Sequence, residues 1–336
     1  MKEAYLYEKK DLNRVRCLLC SHNCLIKEGS RGICGVRENQ GGTLVSLVYG
    51  KVIASHTDPI EKKPLFHFLP GSRSYSIATV GCNFKCLFCQ NADISQMPAD
   101  HKRIRGEDMA PEAVVENAVA GRAMTISYTY TEPTVYFELA LDAARLAEPK
   151  GLRNVFVTNG YMTEDCLKEI DSFLHGANVD LKSFSDTFYR EQCGGRLEPV
   201  LHSIKTMKEL GVWVEVTTLL IPGMNDSREE LRDLAGFLAS VSPDIPWHIS
   251  RFHPTYRLTH IPPTPVEIIH RAREIGYEMG LKYVYTGNLP GDEGEKTRCH
   301  ECDGLLIDRT GFMVRENRIQ NGLCPSCGVS IPGVWE

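Results

Sequence analysis

Apolar, β-prone runs alternate with amphipathic helical stretches between residues 74 and 286. The alternation predicts parallel strands joined by crossover helices, and therefore a barrel-like α/β domain. Six runs predict strands at residues 76–80, 125–130, 154–158, 178–181, 213–219 and 247–252, and 282–285 is a candidate for an extra strand. Helical spacing predicts helices at 111–124, 133–147, 164–175, 197–210, 227–241 and 265–279.

The two ends of the chain have a different texture, rich in Gly, Cys and turn pairs. We therefore predict a Cys-rich N-terminal segment at 1–70, the barrel domain at 71–290 and a small tail at 291–336. Within the tail, the stretch LLIDRTGFMV at 305–314 predicts a β-hairpin around an Asp-Arg-Thr-Gly turn.

Composition narrows the class of protein. The 336 residues are 42% hydrophobic and 24% charged, which is typical of a globular chain and not of a disordered one. The 38 Lys and Arg residues against 43 Asp and Glu residues give a net charge of −5, so nucleic acid is not the expected partner. No apolar run reaches the roughly 18 residues of a membrane span, and the first residues lack a secretion signal's apolar core. We expect a cytoplasmic protein that does not enter a membrane.

Cysteine is the anomalous residue type. The chain has 13 cysteines, and all but Cys166 and Cys193 fall into three groups. Without an export signal, such density indicates metal or redox chemistry before disulfides. We expect Cys166 to be a small buried residue of a helix, and Cys193 to lie near the barrel mouth, where a role as a radical relay is a remote alternative.

The central group lies in GCNFKCLFCQN, where Cys82, Cys86 and Cys89 form a C-x3-C-x2-C loop directly after the first predicted strand. Iron–sulfur cubanes usually have four thiolate ligands, so three would leave one iron open for reaction. A zinc ion with a fourth ligand from elsewhere is the alternative. The position favours chemistry, because barrel folds keep their active sites at the carboxyl ends of strands. Phe88 could pack on a bound planar base.

This loop, with an aromatic residue before the last cysteine, resembles the hallmark of the radical S-adenosylmethionine (SAM) superfamily. The resemblance implies a partial (β/α)6 TIM-like barrel, a 4Fe–4S cluster at Cys82, Cys86 and Cys89, and SAM as the second cofactor. In that superfamily the open iron chelates the amino and carboxylate groups of SAM. Reductive cleavage then gives methionine and a 5′-deoxyadenosyl radical, which abstracts hydrogen from a substrate.

The resemblance also implies SAM contacts after the second and third strands. Thr131 and Glu132 in YTYTEP occupy the place of the family's Gly-Gly-Glu type turn, although the glycines are absent here. Glu132 could instead be a first-turn acid of the next helix. Asn159, in Thr-Asn-Gly, is either a further contact or part of a simple turn.

Charged residues follow the fourth and sixth strands. Asp180 and Lys182 resemble the Asp-x-Lys of pyruvate formate-lyase activating enzymes, where these residues help to hold SAM, and a surface ion pair is the alternative. The family analogy makes His253 a ribose contact. Strand alternation places Arg251 and His253 on one face and His248 nearer the other.

Each end of the chain carries four more cysteines. Cys299, Cys302, Cys324 and Cys327 form a double C-x2-C of the zinc-ribbon or rubredoxin-like type, for which we favour zinc. We expect His300 to be exposed beside this site and not a ligand. The N-terminal cysteines fit either zinc, which we favour, or an auxiliary four-iron cluster, and His22 could replace one of them; these cysteines are Cys17, Cys20, Cys24 and Cys34.

Nearly the whole chain resembles one subgroup, the radical SAM enzymes of the AmmeMemoRadiSam system, which are related to pyruvate formate-lyase activating enzymes. The N-terminal cysteines, the central loop, the Asp-x-Lys, the stretch VYTGNLPG ending at Gly291 and the C-terminal cysteines carry this resemblance. It implies Memo-type and AMMECR-type partner proteins and a low-potential electron donor of the flavodoxin or ferredoxin type.

The predicted function is a radical SAM oxidoreductase whose substrate is a glycyl residue of a partner protein, a small molecule or another macromolecule. The alternative from another class is a zinc-ribbon module that binds nucleic acid or protein. Five basic residues of the tail would serve such a module, but acids lie among them, so we expect a solvated face; they are Lys296, Arg298, Arg309, Arg315 and Arg318.

Overall fold

A computed structural model describes residues 1–336 as a large α/β unit with small β-rich units at both ends. The strands are β1 (Lys2–Glu3), β2 (Tyr7–Lys10), β3 (Arg14–Cys17), β4 (Leu25–Ile26), β5 (Arg37–Gln40), β6 (Thr43–Ser46), β7 (Lys51–Val52), β8 (Ala54–Pro59), β9 (Arg73–Ala78), β10 (Glu107–Asp108), β11 (Thr125–Tyr128), β12 (Arg153–Thr158), β13 (Gly176–Asp180), β14 (Trp213–Leu220), β15 (Trp247–Arg251), β16 (Val284–Gly287), β17 (Thr297–Arg298), β18 (Leu305–Thr310) and β19 (Met313–Asn317). The helices are α1 (Ala92–Ser95), α2 (Met97–Asp100), α3 (Pro111–Ala120), α4 (Phe137–Ala147), α5 (Glu164–Ile170), α6 (Asp186–Phe188), α7 (Leu197–Glu209), α8 (Arg228–Val241) and α9 (Val266–Glu278).

The central sheet confirms the predicted α/β fold. Its order is β16-β15-β14-β13-β12-β11-β9-β8, and the seven strands from β9 to β16 are parallel. The candidate extra strand is present as β16. β8 adds an antiparallel edge strand against β9, and it comes from the region before residue 70. Because β8 and β16 do not pair, the barrel stays open between them.

Side-chain caps begin two of the crossover helices, α5 and α8. Thr163 caps α5 by accepting a hydrogen bond from the Cys166 N–H, and Ser227 caps α8 by accepting one from the Glu230 N–H. Eight of the eleven residues of α4 are buried against the sheet. The predicted helix at 133–147 begins as a 3₁₀ turn, Pro133–Tyr136, because Glu132 accepts a hydrogen bond from the Thr134 N–H.

The segment after β8 closes the barrel at the amino ends of the strands. The backbone N–H groups of Phe66 and His67 donate to the two carboxylate oxygens of Glu215 at 3.0 and 2.8 Å. His248 lies on the same buried group, with Nε2 2.6 Å from the Glu215 carboxylate. The ring of Phe66 meets that of His248 edge-on. Chemistry is therefore confined to the opposite, carboxyl end of the barrel.

The tail folds as the predicted hairpin, but the predicted turn was wrong. Asp308 and Arg309 belong to β18 and pair with Glu316 and Val314 of β19. The chain reverses instead at Gly311, whose φ of 58° favours glycine.

Arg309 also corrects the expectation of a solvated basic face. Its side chain is 1% exposed and lies over the Phe66 ring, 4.3 Å from the ring centroid. The guanidinium donates to Thr297 Oγ1 and to the Phe66 carbonyl, both at 2.6 Å. Arg309 therefore fastens the tail to the segment that closes the barrel.

None of the helices combines the length and apolarity that crossing a lipid bilayer requires.

Candidate active site at the carboxyl ends of the strands

The central cysteine loop leaves β9 through a glycine that no other residue could replace easily. Gly81 has a φ of 103°, and a Cβ at this position would lie 2.7 Å from Val36 Cγ1 and 3.2 Å from the Cys34 carbonyl oxygen. On its other side the loop is held by a π-helical turn, Tyr189–Cys193. The Lys85 N–H donates to the Cys193 carbonyl at 2.7 Å.

The sulfur atoms of the loop receive hydrogen bonds that suit iron–sulfur ligands. The Phe84 N–H lies 3.4 Å from Cys82 Sγ, and Asn159 Nδ2 lies 3.8 Å from the same sulfur. Ser95 Oγ is 3.2 Å from Cys89 Sγ. Such donors stabilise cluster thiolates and set their potential. The three sulfurs are not gathered within 4.8 Å of one another, as ligands of a single ion would be. The residues therefore fit a cluster better than the zinc alternative.

Cys193 is a neighbour of this site that the sequence placed only loosely. A hydrogen bond from the Cys193 thiol holds the pKa of Cys86 below its ordinary value. Cys193 is fully buried beside Cys86. Cys166, in contrast, is buried in α5, as predicted.

Glu132 lies at the centre of the strand ends, where the chain itself occupies its carboxylate. Oε1 accepts hydrogen bonds from Thr134 N, Thr134 Oγ1 and Thr158 Oγ1 at 3.1, 2.5 and 2.7 Å, and Oε2 accepts one from Asn159 N at 2.8 Å. Burial raises the pKa of Glu132, and these donors oppose the rise. Thr131 is tied to the end of β9, because its hydroxyl donates to the Thr79 carbonyl at 2.8 Å. Their contacts with SAM stay predictions.

Asn159 connects this carboxylate to the cysteine loop. Its side-chain amide donates to Asn83 Oδ1 at 2.7 Å, and its own Oδ1 accepts from the Tyr161 N–H at 3.0 Å. Asn83 follows Cys82 directly, and its Nδ2 is buried with no partner in the chain. A buried donor without a partner costs about 1–3 kcal/mol, so this amide suits a bound polar group. Asn83 had no motif to single it out in the sequence.

Asp180 and Lys182 form an ion pair beside the cysteine loop and not on the outer surface. Lys182 Nζ lies 2.7 Å from Asp180 Oδ2, and the lysine side chain is 16% exposed. Burial opposes the charged form of Lys182, but Asp180 and the nearby Cys86 raise its pKa above the ordinary value. The lysine therefore carries a positive charge next to the cysteines.

Phe88 and His253 are the two remaining predicted SAM contacts. Phe88 is buried, and its ring packs against Phe188 with 5.8 Å between centroids. His253 is exposed in the loop that follows β15. Their roles toward an adenosine base and ribose stay predictions.

The C-terminal cysteines come together as a compact group. Cys299 Sγ lies 3.6 Å from Cys327 Sγ, Cys302 Sγ lies 3.7 Å from Cys324 Sγ, and all four sulfurs are within 4.8 Å of one another. Tetrahedral zinc with Zn–S bonds of about 2.3 Å separates its sulfurs by about 3.8 Å, so the group fits one such ion. His300 is not part of it. Contrary to expectation its side chain is only 9% exposed, because Nδ1 bonds to the Tyr283 hydroxyl at 2.8 Å.

The N-terminal cysteines line a cavity between β3, β4 and the 3₁₀ turn that begins at Pro133. The walls of the cavity include Cys17, Cys20, Cys24 and Cys34. His22 also lines it, and His22 Nε2 is 2.8 Å from the Asn83 carbonyl oxygen.

Comparisons with known proteins agree with this site. Residues 76–235 match the Radical SAM superfamily. An uncharacterized protein of Methanocaldococcus jannaschii is 47% identical over 334 residues, which are 98% of this chain and 99% of that protein. The pyruvate formate-lyase-activating enzyme of Clostridium pasteurianum is 24% identical over 176 residues, 51% of this chain and 71% of that enzyme.

Solved structures share the fold at low sequence identity. The crystal structure of a radical SAM methyltransferase from Sphaerobacter thermophilus has a TM-score of 0.52 at 16% identity, over 68% of this chain and 71% of that one. Streptococcus suis SuiB bound to S-adenosylmethionine has a TM-score of 0.51 at 15% identity, over 68% of this chain and 53% of that one. With a relative aligned over almost its full length and the cysteine loop placed at the strand ends, the chain belongs to the radical SAM superfamily, whose members are enzymes that bind a 4Fe–4S cluster and SAM.

Proposed function

We propose that this enzyme cleaves SAM reductively and uses the resulting radical to abstract hydrogen from a glycyl residue of a partner protein. The observation that carries the proposal is the cysteine loop itself. Cys82, Cys86 and Cys89 lie at the carboxyl end of β9 with N–H and O–H donors on Cys82 and Cys89. These three cysteines would hold a 4Fe–4S cluster, which when reduced would supply the electron for cleavage of the sulfonium carbon–sulfur bond of SAM.

The chain's own residues have distinct tasks in this proposal. Lys182 supplies a fixed positive charge beside the cysteines, which favours the SAM carboxylate and the negatively charged thiolates. Asn83 offers its unpartnered amide N–H to a polar group of SAM. Glu132 is a positioning residue, because its four hydrogen bonds are to the chain and it holds Asn159 against the loop.

The glycyl substrate is proposed from the relatives, since the enzyme of Clostridium pasteurianum is named as a pyruvate formate-lyase-activating enzyme. A partner protein would approach the open carboxyl end of the barrel, because residues around Phe66 close the other end. The proposed electron donor is of the flavodoxin or ferredoxin type. None of the relatives described above supports Memo-type or AMMECR-type partners.

The test is formation of 5′-deoxyadenosine and methionine by anaerobically reconstituted protein with SAM and a strong reductant. We expect replacement of Cys82, Cys86 or Cys89 by Ala to abolish both products. Cys166→Ala is the matched control, since it removes a buried thiol from α5 and should leave cleavage intact. Cleavage that survives in all three loop variants would refute the cluster assignment.

The glycyl proposal has its own readout. A candidate partner is mixed with the active enzyme, and its spectrum is examined by electron paramagnetic resonance for a glycyl radical that depends on SAM. Mass spectrometry of the partner and of small-molecule extracts then identifies other products. Cleavage of SAM with a changed small molecule, and no glycyl radical, would replace the partner protein by a small-molecule substrate.

A further inference from the structure

We propose that Cys17, Cys20, Cys24 and Cys34 hold a second iron–sulfur cluster of the 4Fe–4S type and not a zinc ion. The count of four cysteines fits both, and the sequence favoured zinc. The folded chain reverses that preference through the spacing of the sulfurs, the cavity between them and a buried arginine that faces it. The inference does not depend on how SAM is used at the other site.

The distances between the sulfur atoms distinguish a zinc site from a cluster site within this one chain. The C-terminal four lie within 4.8 Å of one another, as ligands of a single ion must. No three of the N-terminal four, with or without His22, reach that closeness. The loop cysteines Cys82, Cys86 and Cys89 are spread in the same way. Each thiolate of a cubane binds a different iron, so a cluster keeps its ligands farther apart than one zinc ion does.

The N-terminal cysteines enclose space instead of meeting at a point. The cavity has a volume of about 20 Å³, and the four cysteines are among its twelve lining residues. Leu19, Ile26 and Val135 supply aliphatic walls. An apolar, shielded pocket suits a cluster, since solvent exposure is one of the factors that set its potential.

Arg37 provides the independent observation. Its side chain is 2% exposed and lines the cavity, and its two terminal nitrogens donate to the Glu138 carboxylate at 3.0 and 2.6 Å. Its Nε is buried and has no partner in the chain. Leaving a buried N–H unpaired is costly, and sulfides and thiolates of a bound cluster are acceptors for it.

The proposed second cluster would lie beside the first. The Cys34 carbonyl oxygen and Val36 pack against Gly81, which precedes Cys82. His22 bonds to the backbone of Asn83 on the other side of Cys82. The two ligand loops therefore touch on both flanks of Cys82.

The test removes the ligands of the cluster at the central loop, so that only the proposed N-terminal cluster is measured. The full chain carrying Cys82→Ala, Cys86→Ala and Cys89→Ala is reconstituted anaerobically with iron and sulfide, and iron, sulfide and zinc are counted. We expect about four irons and four sulfides per chain, with one zinc ion at the tail, and a reduced-cluster signal in electron paramagnetic resonance that SAM does not change. Two zinc ions without iron would overturn the proposal, and so would a single zinc ion with no second metal.

A second variant, which lacks N-terminal cysteines instead, tests the same assignment in case the triple loop variant misfolds. Chain carrying Cys17→Ala and Cys34→Ala should keep the SAM-responsive signal and lose about half of the iron of the native chain, whereas unchanged iron would overturn the assignment. Arg37→Lys keeps the charge opposite Glu138 but removes the Nε–H. We expect its iron count to be unchanged and the midpoint potential of the second cluster to become more negative. If the proposed SAM site failed instead, the count in the triple variant would be unaffected, so the two failures are distinguishable.

Discussion

Replacing Glu132 by Gln tests whether this residue positions the SAM site or contacts SAM itself. The carboxylate accepts two backbone N–H groups, from Thr134 through Oε1 and from Asn159 through Oε2. A glutamine amide has one oxygen, so in either orientation its NH₂ group faces one of these donors. The Thr134 and Thr158 hydroxyls can rotate to accept from it, but a backbone N–H cannot.

The expected loss of stability follows from the number of backbone N–H groups that each variant leaves without an acceptor. One buried backbone N–H left without an acceptor costs about 1–3 kcal/mol in free energy of unfolding. Glu132→Ala leaves both without acceptors, so its loss should be about twice as large, about 2–6 kcal/mol. Because Asn159 holds Asn83 of the cysteine loop in place, SAM affinity should fall along with stability in both variants.

The assay is denaturant unfolding of the anaerobic, cluster-loaded protein, paired with calorimetric titration of SAM. Glu164→Gln on the exposed start of α5 is the matched control, since it removes a charge from a surface pair with Lys168 and should change neither quantity measurably. A Glu132→Gln protein of unchanged stability whose SAM affinity has collapsed would refute the positioning role. That result would mean that the carboxylate binds SAM directly.

Three further perturbations have defined outcomes. Lys182→Met should lower SAM cleavage at least about tenfold, which is an interaction of about 1.4 kcal/mol, while iron content stays constant; unchanged cleavage would remove the Asp180 pair from the site. Arg309→Met should lower the free energy of unfolding by about 3–5 kcal/mol in urea titrations, because it leaves the buried Glu61 carboxylate without a cation; a loss below 1 kcal/mol would contradict this. Burial lowers the pKa of His67 to about 4, so its neutral form stabilises the fold above the unfolded pKa of about 6.5, and stability should fall by up to about 3 kcal/mol as pH drops from 6.5 to 4. A pH series of unfolding curves that is no flatter for His67→Asn would show that other groups cause the acid loss.

The barrel was predictable because its buried strands repeat one simple pattern. β12 contains the consecutive apolar residues Val155, Phe156 and Val157, so an apolar run was enough to find it. β8, Ala54–Pro59, escaped prediction because only Asp58 of its six residues is buried and its sequence is polar. Its place comes from backbone pairing with β9, which is a long-range property. The hairpin turn was misplaced for a similar reason, since the burial of Arg309 against Phe66 keeps two polar residues in the strand.

The parts of the candidate site that consist of short sequence motifs were predictable. The cysteine loop and the Asp180–Lys182 pair each occupy a few consecutive residues, and strand order brings them to one end of the barrel. Asn83 and the contact of Cys193 with Cys86 were not predictable in this way. Cys193 reaches the loop through a π-helical turn more than a hundred residues along the chain, and no local spacing announces such a neighbour.

The cysteine groups show that the spacing of a motif does not determine how its sulfur atoms are arranged in the fold. Both outer groups begin with the same C-x2-C spacing, in one case at Cys17 and in the other at Cys299. In the tail, antiparallel strands bring the two pairs face to face until their sulfurs nearly touch. Near the start, the four cysteines line one cavity together with Arg37, which pairs with Glu138. Under our proposal, the packing between the pairs, and not the spacing within them, sets the number of metal atoms that each cysteine group accepts.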